Sequence, residues 1–226
     1  MKKMKTKLFS IVFILMISTS IVSAQDIGKA KVSFAILGGV NFQNLNGKDM
    51  FGDKLVNKMI IGYHAGFNIQ LPVAPQFFFQ PGLLLSTKGA ENKALISTYK
   101  LSYIEMPLNF VYKGSLGNGN IMIGFGPYIA YGIAGKATIE SGSVTLKTDI
   151  KYKNVVEIGD PILTTYFRAF DAGGNIFVGY EMAGGIFLQL NSQFGMIEIN
   201  PEYKLFTTDK SSVKNTGFGL SLGYKF

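Results

Sequence analysis

A strict two-residue alternation of apolar with small or polar side chains runs through the end of the chain, and it constrains the fold more than any other feature. In residues 216–226 one row is wholly apolar: Phe218, Leu220, Leu222, Tyr224 and Phe226. The intervening row is made of glycine, Ser221 and Lys225. Because a β-strand places alternate side chains on opposite faces, this segment predicts a strand with one apolar face.

The same alternation recurs throughout the chain. It is found in residues 32–42, 59–71, 77–87, 99–112, 120–133, 168–182 and 186–196. Each of these segments has at least the ~9–11 residues with which a tilted β-strand crosses a bilayer. Together with the last segment they predict eight membrane-spanning strands.

The amino end has the three-part layout of a secretory signal peptide. Residues 1–7 contain four lysines and no acid, residues 8–17 are an apolar run, and residues 22–24 are a small-residue cleavage site. The apolar run is shorter than the ~20 residues of a spanning helix. Residues 1–24 are therefore predicted to be a signal peptide and residues 25–226 an exported barrel domain, the alternative being a retained membrane anchor.

Composition supports export into a membrane. Of the 22 Lys and Arg residues, four lie in the leader, which leaves 18 against 14 acids and gives no indication of a nucleic-acid partner. The absence of cysteine excludes disulfides and thiolate metal sites. Hydrophobic residues make up 47% of the chain, yet no apolar run after the leader is long enough for a helical span. An exported chain of this kind indicates alternating strands in a bilayer.

Connections of alternating length set the orientation. The short ones are residues 72–76, 114–119 and 183–185, and the long ones are 43–58, 89–98, 136–167 and 200–215. This is the layout of a bacterial outer-membrane barrel with periplasmic turns and extracellular loops. We therefore expect an all-β, eight-stranded antiparallel up-and-down transmembrane β-barrel with both termini in the periplasm. Residues 144–152 also alternate and are interpreted as a hairpin above the membrane, while a ten-stranded barrel is the alternative.

Three prolines lie inside predicted strands: Pro81, Pro107 and Pro127. Proline lacks the backbone N–H that a ladder requires, and a closed barrel has no free edge on which to place it. Bulges or local kinks are therefore expected at these positions.

Several short motifs resemble a known family. They are residues 103–108 (YIEMPL) before 112–114 (YKG), 126–128 (GPY), 170–173 (FDAG), 179–181 (GYE) and the strand that ends at Phe226. In this order they resemble the small outer-membrane β-barrels typical of Bacteroidota, the PorT-like barrels, over residues 25–226. The resemblance implies an eight-stranded barrel, and some family members serve protein secretion and gliding machinery. The last strand departs from the usual assembly signal by carrying Ser221 where a glycine is preferred.

Polar side chains are predicted to fill the barrel, because eight strands enclose an interior just wide enough for side chains. The residues expected to face inward are His64, Asn68, Gln70, Gln80, Lys88, Glu105, Asn109, Asp171, Asn175, Glu181, Gln189, Asn191, Gln193 and Lys225. Buried polar groups must pair with one another or with water, so we expect a hydrogen-bonded plug with Glu105 as its anchor. A narrow pore is the alternative. The outward row Phe218, Leu220, Leu222, Tyr224 and Phe226 is the predicted barrel-assembly signal.

No catalytic, cofactor or metal site is predicted. His64 is the single histidine, and no HExxH, Walker or GxSxG motif occurs. A lipid-modifying enzyme remains an alternative that would require His64 at the outer rim beside a serine and a carboxylate. The acids of the longest connection are a candidate site for a divalent cation or for bridging lipopolysaccharide: Glu140, Asp149, Glu157 and Asp160.

The sequence therefore predicts a non-enzymatic outer-membrane protein. Since the barrel is expected to be too narrow to conduct, its function is assigned to the extracellular loops or the periplasmic rim, in partner docking, adhesion, secretion machinery or envelope support. The expected partners are outer-membrane lipid and lipopolysaccharide, the barrel assembly machinery and, as a further candidate, another envelope protein.

Overall fold

The computed structural model describes residues 31–93, 96–141, 144–161, 163–205 and 208–226, and the predicted signal peptide lies outside them. Its strands in chain order are β1 (Ser33–Lys48), β2 (Asn57–Lys58), β3 (Ile60–Ala74), β4 (Phe77–Asn92), β5 (Ser97–Leu116), β6 (Gly119–Ser141), β7 (Val144–Asp149), β8 (Lys151–Tyr152), β9 (Val155–Val156), β10 (Tyr166–Phe167), β11 (Phe170–Glu181), β12 (Ile186–Gly195), β13 (Glu202–Tyr203) and β14 (Ser212–Lys225). Within the described residues, no helix has the length and apolar character needed to cross a membrane.

Eight long antiparallel strands close into a ring, in the order β1, β3, β4, β5, β6, β11, β12 and β14. The ring is closed by β14 and β1, where Leu220 lies opposite Val40. Between β6 and β11, Phe125 lies opposite Ile176. In a closed ring each strand is hydrogen-bonded to a neighbour along both of its edges, as a bilayer requires. The predicted eight-stranded up-and-down barrel is therefore confirmed.

The longest connection contains the predicted hairpin. In it, β7 pairs with the end of β6, with Lys136 opposite Asp149. The short strand β8 pairs with β10 rather than with the ring. Among the described strands β7 pairs with β6 alone, so it extends one wall strand beyond the ring and does not add to it. The ten-stranded alternative is therefore wrong.

The strands run further than predicted at one end of the barrel. The three short turns lie at the end that we call the turn end, where observed and predicted bounds nearly coincide. At the opposite end, the loop end, β1 continues to Lys48 and β6 to Ser141. The extensions lack a continuous apolar row. Antiparallel strands can remain paired in water, where neither face of the sheet contacts lipid and no apolar face is required. Much of the predicted loop sequence is therefore strand.

The two faces of the wall are inverted relative to a water-soluble protein. Outward side chains are large and exposed, such as Phe125 at 61% and Leu222 at 60%, whereas inward neighbours are buried. The outward row of the last strand is likewise exposed: Phe218, Leu220, Leu222, Tyr224 and Phe226. An apolar exterior of this extent needs hydrocarbon around it. The role of the last strand as an assembly signal stays a prediction.

The bulges predicted at the three strand prolines do not form. The β4–β5 register is the same on both sides of Pro81, and the β5–β6 register is the same on both sides of Pro107 and Pro127. Pairing is instead interrupted for two positions beside these prolines, because each proline lacks one N–H. The β5–β6 register shifts elsewhere, between Ser102 and Tyr103.

Glycines on the inner face make room for aromatic rings. A Cβ at Gly124 would lie 2.2 Å from Cε1 of Phe177, and one at Gly223 would lie 2.2 Å from Cζ of Phe187. Phe177 and Phe187 are buried inside the barrel, on strands adjacent to these glycines. The small inner row predicted from sequence therefore lets bulky neighbours fill the interior.

We expect Leu220→Arg to destabilise the barrel in lipid by about 2–4 kcal/mol, because it places a charge on the outer face near mid-strand. Urea unfolding in lipid vesicles, followed by the electrophoretic shift between folded and unfolded forms, measures this effect. Leu163→Arg is the control, since Leu163 is 88% exposed in the longest connection; its effect should stay within about 0.5 kcal/mol. Equal small effects at both positions would contradict a lipid-facing outer row.

Candidate functional site in the lumen and at the loop end

Buried side chains fill the lumen in successive layers from the turn end to the loop end. A charged cluster at the turn end is followed by an apolar layer, then by a polar middle, and last by a second apolar layer. The first apolar layer consists of Ala35, Val111, Met122, Phe177 and Phe187. The second, which we call the loop-side layer, contains Leu45, Ala90, Leu101, Tyr103, Tyr128, Ala130, Ala137, Ile150, Phe167 and Ile199. The interior is therefore packed with side chains, as expected for eight strands.

An ion-pair network lies in the loop-side half of the polar middle. Nζ of Lys88 on β4 lies 2.9 Å from Oε2 of Glu105 on β5 and 3.1 Å from Oδ2 of Asp171 on β11. All three side chains are at most 1% exposed. Two carboxylates share one ammonium, so removing Lys88 would leave two buried charges without a counterion.

Neighbouring side chains hold the network in place. Tyr128 Oη donates a hydrogen bond to Asp171 Oδ2 at 3.2 Å, and Asn215 Nδ2 donates to the same oxygen at 3.0 Å. Gln193 Nε2 donates to Glu105 Oε1. Tyr128 and Asn215 were missed by sequence reasoning. Tyr128 stands beside Pro127 in a strand whose inner row is otherwise small between Gly124 and Gly132, and Asn215 lies in a segment predicted to be a loop.

His64 belongs to a separate hydrogen-bonded group in the middle of the barrel. Its Nδ1 lies 2.7 Å from Asn41 Oδ1, and its Nε2 lies 2.8 Å from Ser221 Oγ. Because an amide oxygen only accepts, Nδ1 carries the hydrogen, and the Ser221 hydroxyl donates to Nε2 of the neutral ring. Asn191 Nδ2 donates to Ser221 Oγ at 2.8 Å. The serine that departs from the usual assembly signal therefore has a partner in the lumen.

A second charged cluster lies at the turn end. Lys113 and Lys225 both form ion pairs with Glu181. Lys113 Nζ also donates to Gln70 Oε1 at 2.6 Å. Lys113 was not predicted, although the outward row that includes Tyr112 implies that the next residue faces inward.

All the predicted lumen residues lie inside the barrel. Several of them line a cavity of about 50 Å³ in the polar middle: His64, Asn68, Gln80, Glu105, Asn109, Asn175, Gln189, Asn191 and Gln193. A cavity of this size has room for a few water molecules. Asp171 belongs to the Lys88 network, and Glu181 and Lys225 to the turn-end cluster.

The acids of the longest connection are dispersed. Asp160 is paired with Lys153 at 2.6 Å, and hydrogen bonds from Lys153 and from the Glu157 backbone N–H hold the pKa of Asp160 below its usual range. Glu140 and Asp149 lie on β6 and β7. Among the described residues, no three His, Cys, Asp or Glu side chains are grouped so that they could hold a metal ion.

Large apolar side chains are exposed at the loop end, in the connections beyond the strand ring. Phe51 is 75% exposed, Ile158 77% and Leu163 88%. They lie in two different connections, one after β1 and one between β9 and β10. Exposed apolar side chains outside the lipid-facing wall are typical of interaction surfaces.

A family model described as "Outer membrane protein beta-barrel domain" matches residues 23–200 of the chain. No curated protein matches the sequence of this chain.

Several solved barrels are similar in structure. Neisserial surface protein A is 11% identical with a TM-score of 0.44, and the match covers 87% of this chain and 100% of that one. The attachment invasion locus protein Ail of Yersinia pestis is 10% identical with a TM-score of 0.39, covering 86% and 99%. The outer membrane protein AlkL is 15% identical with a TM-score of 0.40, covering 90% and 94%. At these identities the similarity concerns the fold alone.

We expect Lys88→Met to destabilise the barrel by about 3–5 kcal/mol, because it leaves Glu105 and Asp171 buried without a counterion. Urea unfolding in lipid vesicles measures the change. Lys58→Met is the matched control: Lys58 forms an exposed pair with Glu91 at 3.0 Å, and such pairs contribute about 0–1 kcal/mol.

Adding Glu105→Gln and Asp171→Asn to Lys88→Met should recover part of the lost stability, since both uncompensated charges are then removed. Equal effects of Lys88→Met and Lys58→Met would contradict a structural role for the buried ion pairs.

Proposed function

The chain belongs to the family of outer membrane protein β-barrel domains, and from that premise we propose that it is a non-enzymatic barrel that acts through its ends. The action is docking of a partner or adhesion at the loop end, with the barrel as an anchor in the bacterial outer membrane. We place the loop end outside the cell and both termini in the periplasm, in keeping with the usual arrangement of long loops and short turns.

The filled lumen is the observation that carries this proposal. Leu101, Tyr103 and Tyr128 of the loop-side layer are at most 1% exposed, and below them Lys88 is completely buried between its two carboxylates. A solute would have to separate buried ion pairs and displace aromatic rings to pass. This arrangement argues against the alternative of a narrow pore and supports a function at the two ends.

The loop end supports a docking role. Phe51, Ile158 and Leu163 are exposed there, and backbone pairing between β8 and β10 and between β9 and β13 orders the connections that surround them. An ordered surface with exposed apolar side chains can bind a partner without a large ordering penalty. The partner we propose is another envelope protein or a surface outside the cell.

The environment of His64 favours a non-enzymatic role. The ring lies in mid-barrel, away from the outer rim, and both of its nitrogens are engaged by Asn41 and Ser221. The orienting partner is an amide where the lipid-modifying alternative requires a carboxylate. We accordingly propose that the protein works without a cofactor.

Sequence motifs support assigning the chain to a narrower group within this family. The Tyr103–Leu108 and Phe170–Gly173 patterns resemble the PorT-like barrels of Bacteroidota, and we propose that the chain belongs with them. Its other partners are then outer-membrane lipid, lipopolysaccharide and the barrel assembly machinery, which would bind the last strand. Participation in a secretion or gliding machine is one form that the proposed docking can take.

The reconstituted protein should give no stable conductance steps in a planar bilayer, because packed side chains block the lumen. A variant that hollows the loop-side layer alone, Leu101→Ala with Tyr103→Ala and Tyr128→Ala, should still give no steps if it folds, because the other apolar layer with Phe177 and Phe187 remains in the lumen. Regular ion-selective steps from the unmodified protein would contradict the proposal and favour the pore.

A photoreactive residue in place of Leu163 should give a discrete crosslinked adduct in intact cells, because this position is fully exposed at the loop end. The same residue in place of Leu116, which is 55% exposed at the turn end, is the control for non-specific capture. Ile158→Ser should reduce the Leu163 adduct severalfold if both belong to one docking surface. Identical adduct patterns at both ends of the barrel would argue against docking at the loop end.

A further inference from the structure

A pocket of about 380 Å³ opens among the connections of the loop end. All four long connections contribute to it: Leu55 follows β1, Asn92 ends β4, Tyr166 precedes β11 and Tyr203 precedes β14. We propose that this pocket is a binding site for a small, uncharged and largely apolar molecule. Its volume is within the range of small-molecule sites in proteins.

Hydrogen bonds hold the walls of the pocket in place. Asn57 Nδ2 donates to the Leu45 carbonyl at 2.7 Å. Asn200 Oδ1 accepts from the Val213 N–H at 2.9 Å, and Asn200 Nδ2 donates to the Ser211 carbonyl at 3.1 Å. Each bond joins residues from different parts of the wall. A pre-formed site loses little conformational entropy when a ligand binds.

Backbone bonds fix the remaining walls. The Leu55 N–H donates to the Gly47 carbonyl at 3.0 Å, and the Lys210 N–H donates to the Met50 carbonyl at 3.2 Å. The parallel pairing of β10 with β8 positions Tyr166 and Phe167. Backbone bonds between described residues therefore hold the pocket wall in three of the four connections that line it.

The floor of the pocket is aromatic and closed. Tyr99 packs edge-on against Phe167, with ring centroids 5.8 Å apart. Phe167 and Leu45 belong to the loop-side layer, which separates the pocket from the polar middle of the barrel. A pocket with a sealed floor holds a ligand at the loop end rather than passing it into the lumen.

The lining selects an uncharged ligand. Among the described residues that line the pocket none is basic, and Asp209 is the sole acid. The Asp209 carboxylate accepts from the Ser211 N–H at 2.8 Å. An anion would find no counterion here, and the apolar walls disfavour any ionised group.

The test uses the full barrel in lipid nanodiscs with ¹³C-methyl-labelled methionine. N-phenyl-1-naphthylamine, an uncharged compound with three aromatic rings and one N–H, is the probe. Met50 lines the pocket, whereas Met106 and Met196 are exposed on or beside the outer wall. We expect a saturable shift of the Met50 signal, while Met106 and Met196 report only non-saturable partition into lipid. A Met50 response that tracks Met106 without saturating would overturn the proposal.

Variants at adjacent positions locate the site. Leu55→Trp places a large ring at the pocket wall and should abolish the saturable shift, while Val56→Trp should not, since Val56 is 67% exposed and lies outside the lining. Unchanged binding in Leu55→Trp, or equally tight binding of the anionic analogue 1-anilinonaphthalene-8-sulfonate, would be inconsistent with this site.

The site is independent of the proposed docking surface. The photocrosslinking test at Leu163 probes exposed loop residues, whereas the Met50 titration probes the lining of the pocket. Failure of either measurement leaves the other unaffected.

Discussion

Closure of the backbone ladder is the constraint on which the rest of the structure depends. In hydrocarbon an unpaired N–H or C=O costs several kcal/mol, so the β14–β1 pairing from Lys225 to Ser212 is a condition for the fold. Closure also determines the width of the barrel. With eight strands the interior has room for side chains and little else, and the alternation of each strand sends its apolar row to lipid and its small or polar row inward. Even the strand prolines, which each remove one donor, interrupt pairing for two positions without changing the register.

The polar side chains of the inner row must then find their hydrogen-bond and ion-pair partners within the lumen. Lys88, Glu105 and Asp171 come from three strands and meet at 2.9 and 3.1 Å, and a second group around Glu181 does the same at the turn end. Buried ion pairs of this kind add little net stability, but losing one partner is costly. Apolar layers separate the polar groups along the axis. A lumen arranged in this way supports the barrel and leaves its ends as the places where other molecules bind.

Strand number, strand faces and the inward position of the polar residues could be predicted because each depends on local alternation alone. The outward positions of Phe218 and Leu220 came directly from that pattern. The extension of β6 to Ser141 could not be predicted, since pairing in water leaves no apolar row in the sequence. Partners across the lumen were equally out of reach: Asn215 and Asp171 are 44 positions apart, and which inward groups meet depends on strand stagger. The loop-end pocket was missed because four separate connections build it and none carries a pattern of its own.

The hydroxyl of Ser221 has a consequence for the order of events during folding. It lies on β14, the last strand of the ring in chain order, and it is the hydrogen-bond partner of Nε2 of His64 on β3 and of the amide of Asn191 on β12. Until β14 pairs with its neighbours, both groups lack this partner in the lumen. An incomplete sheet is thereby disfavoured, since insertion of β14 completes the backbone ladder and these interior hydrogen bonds together.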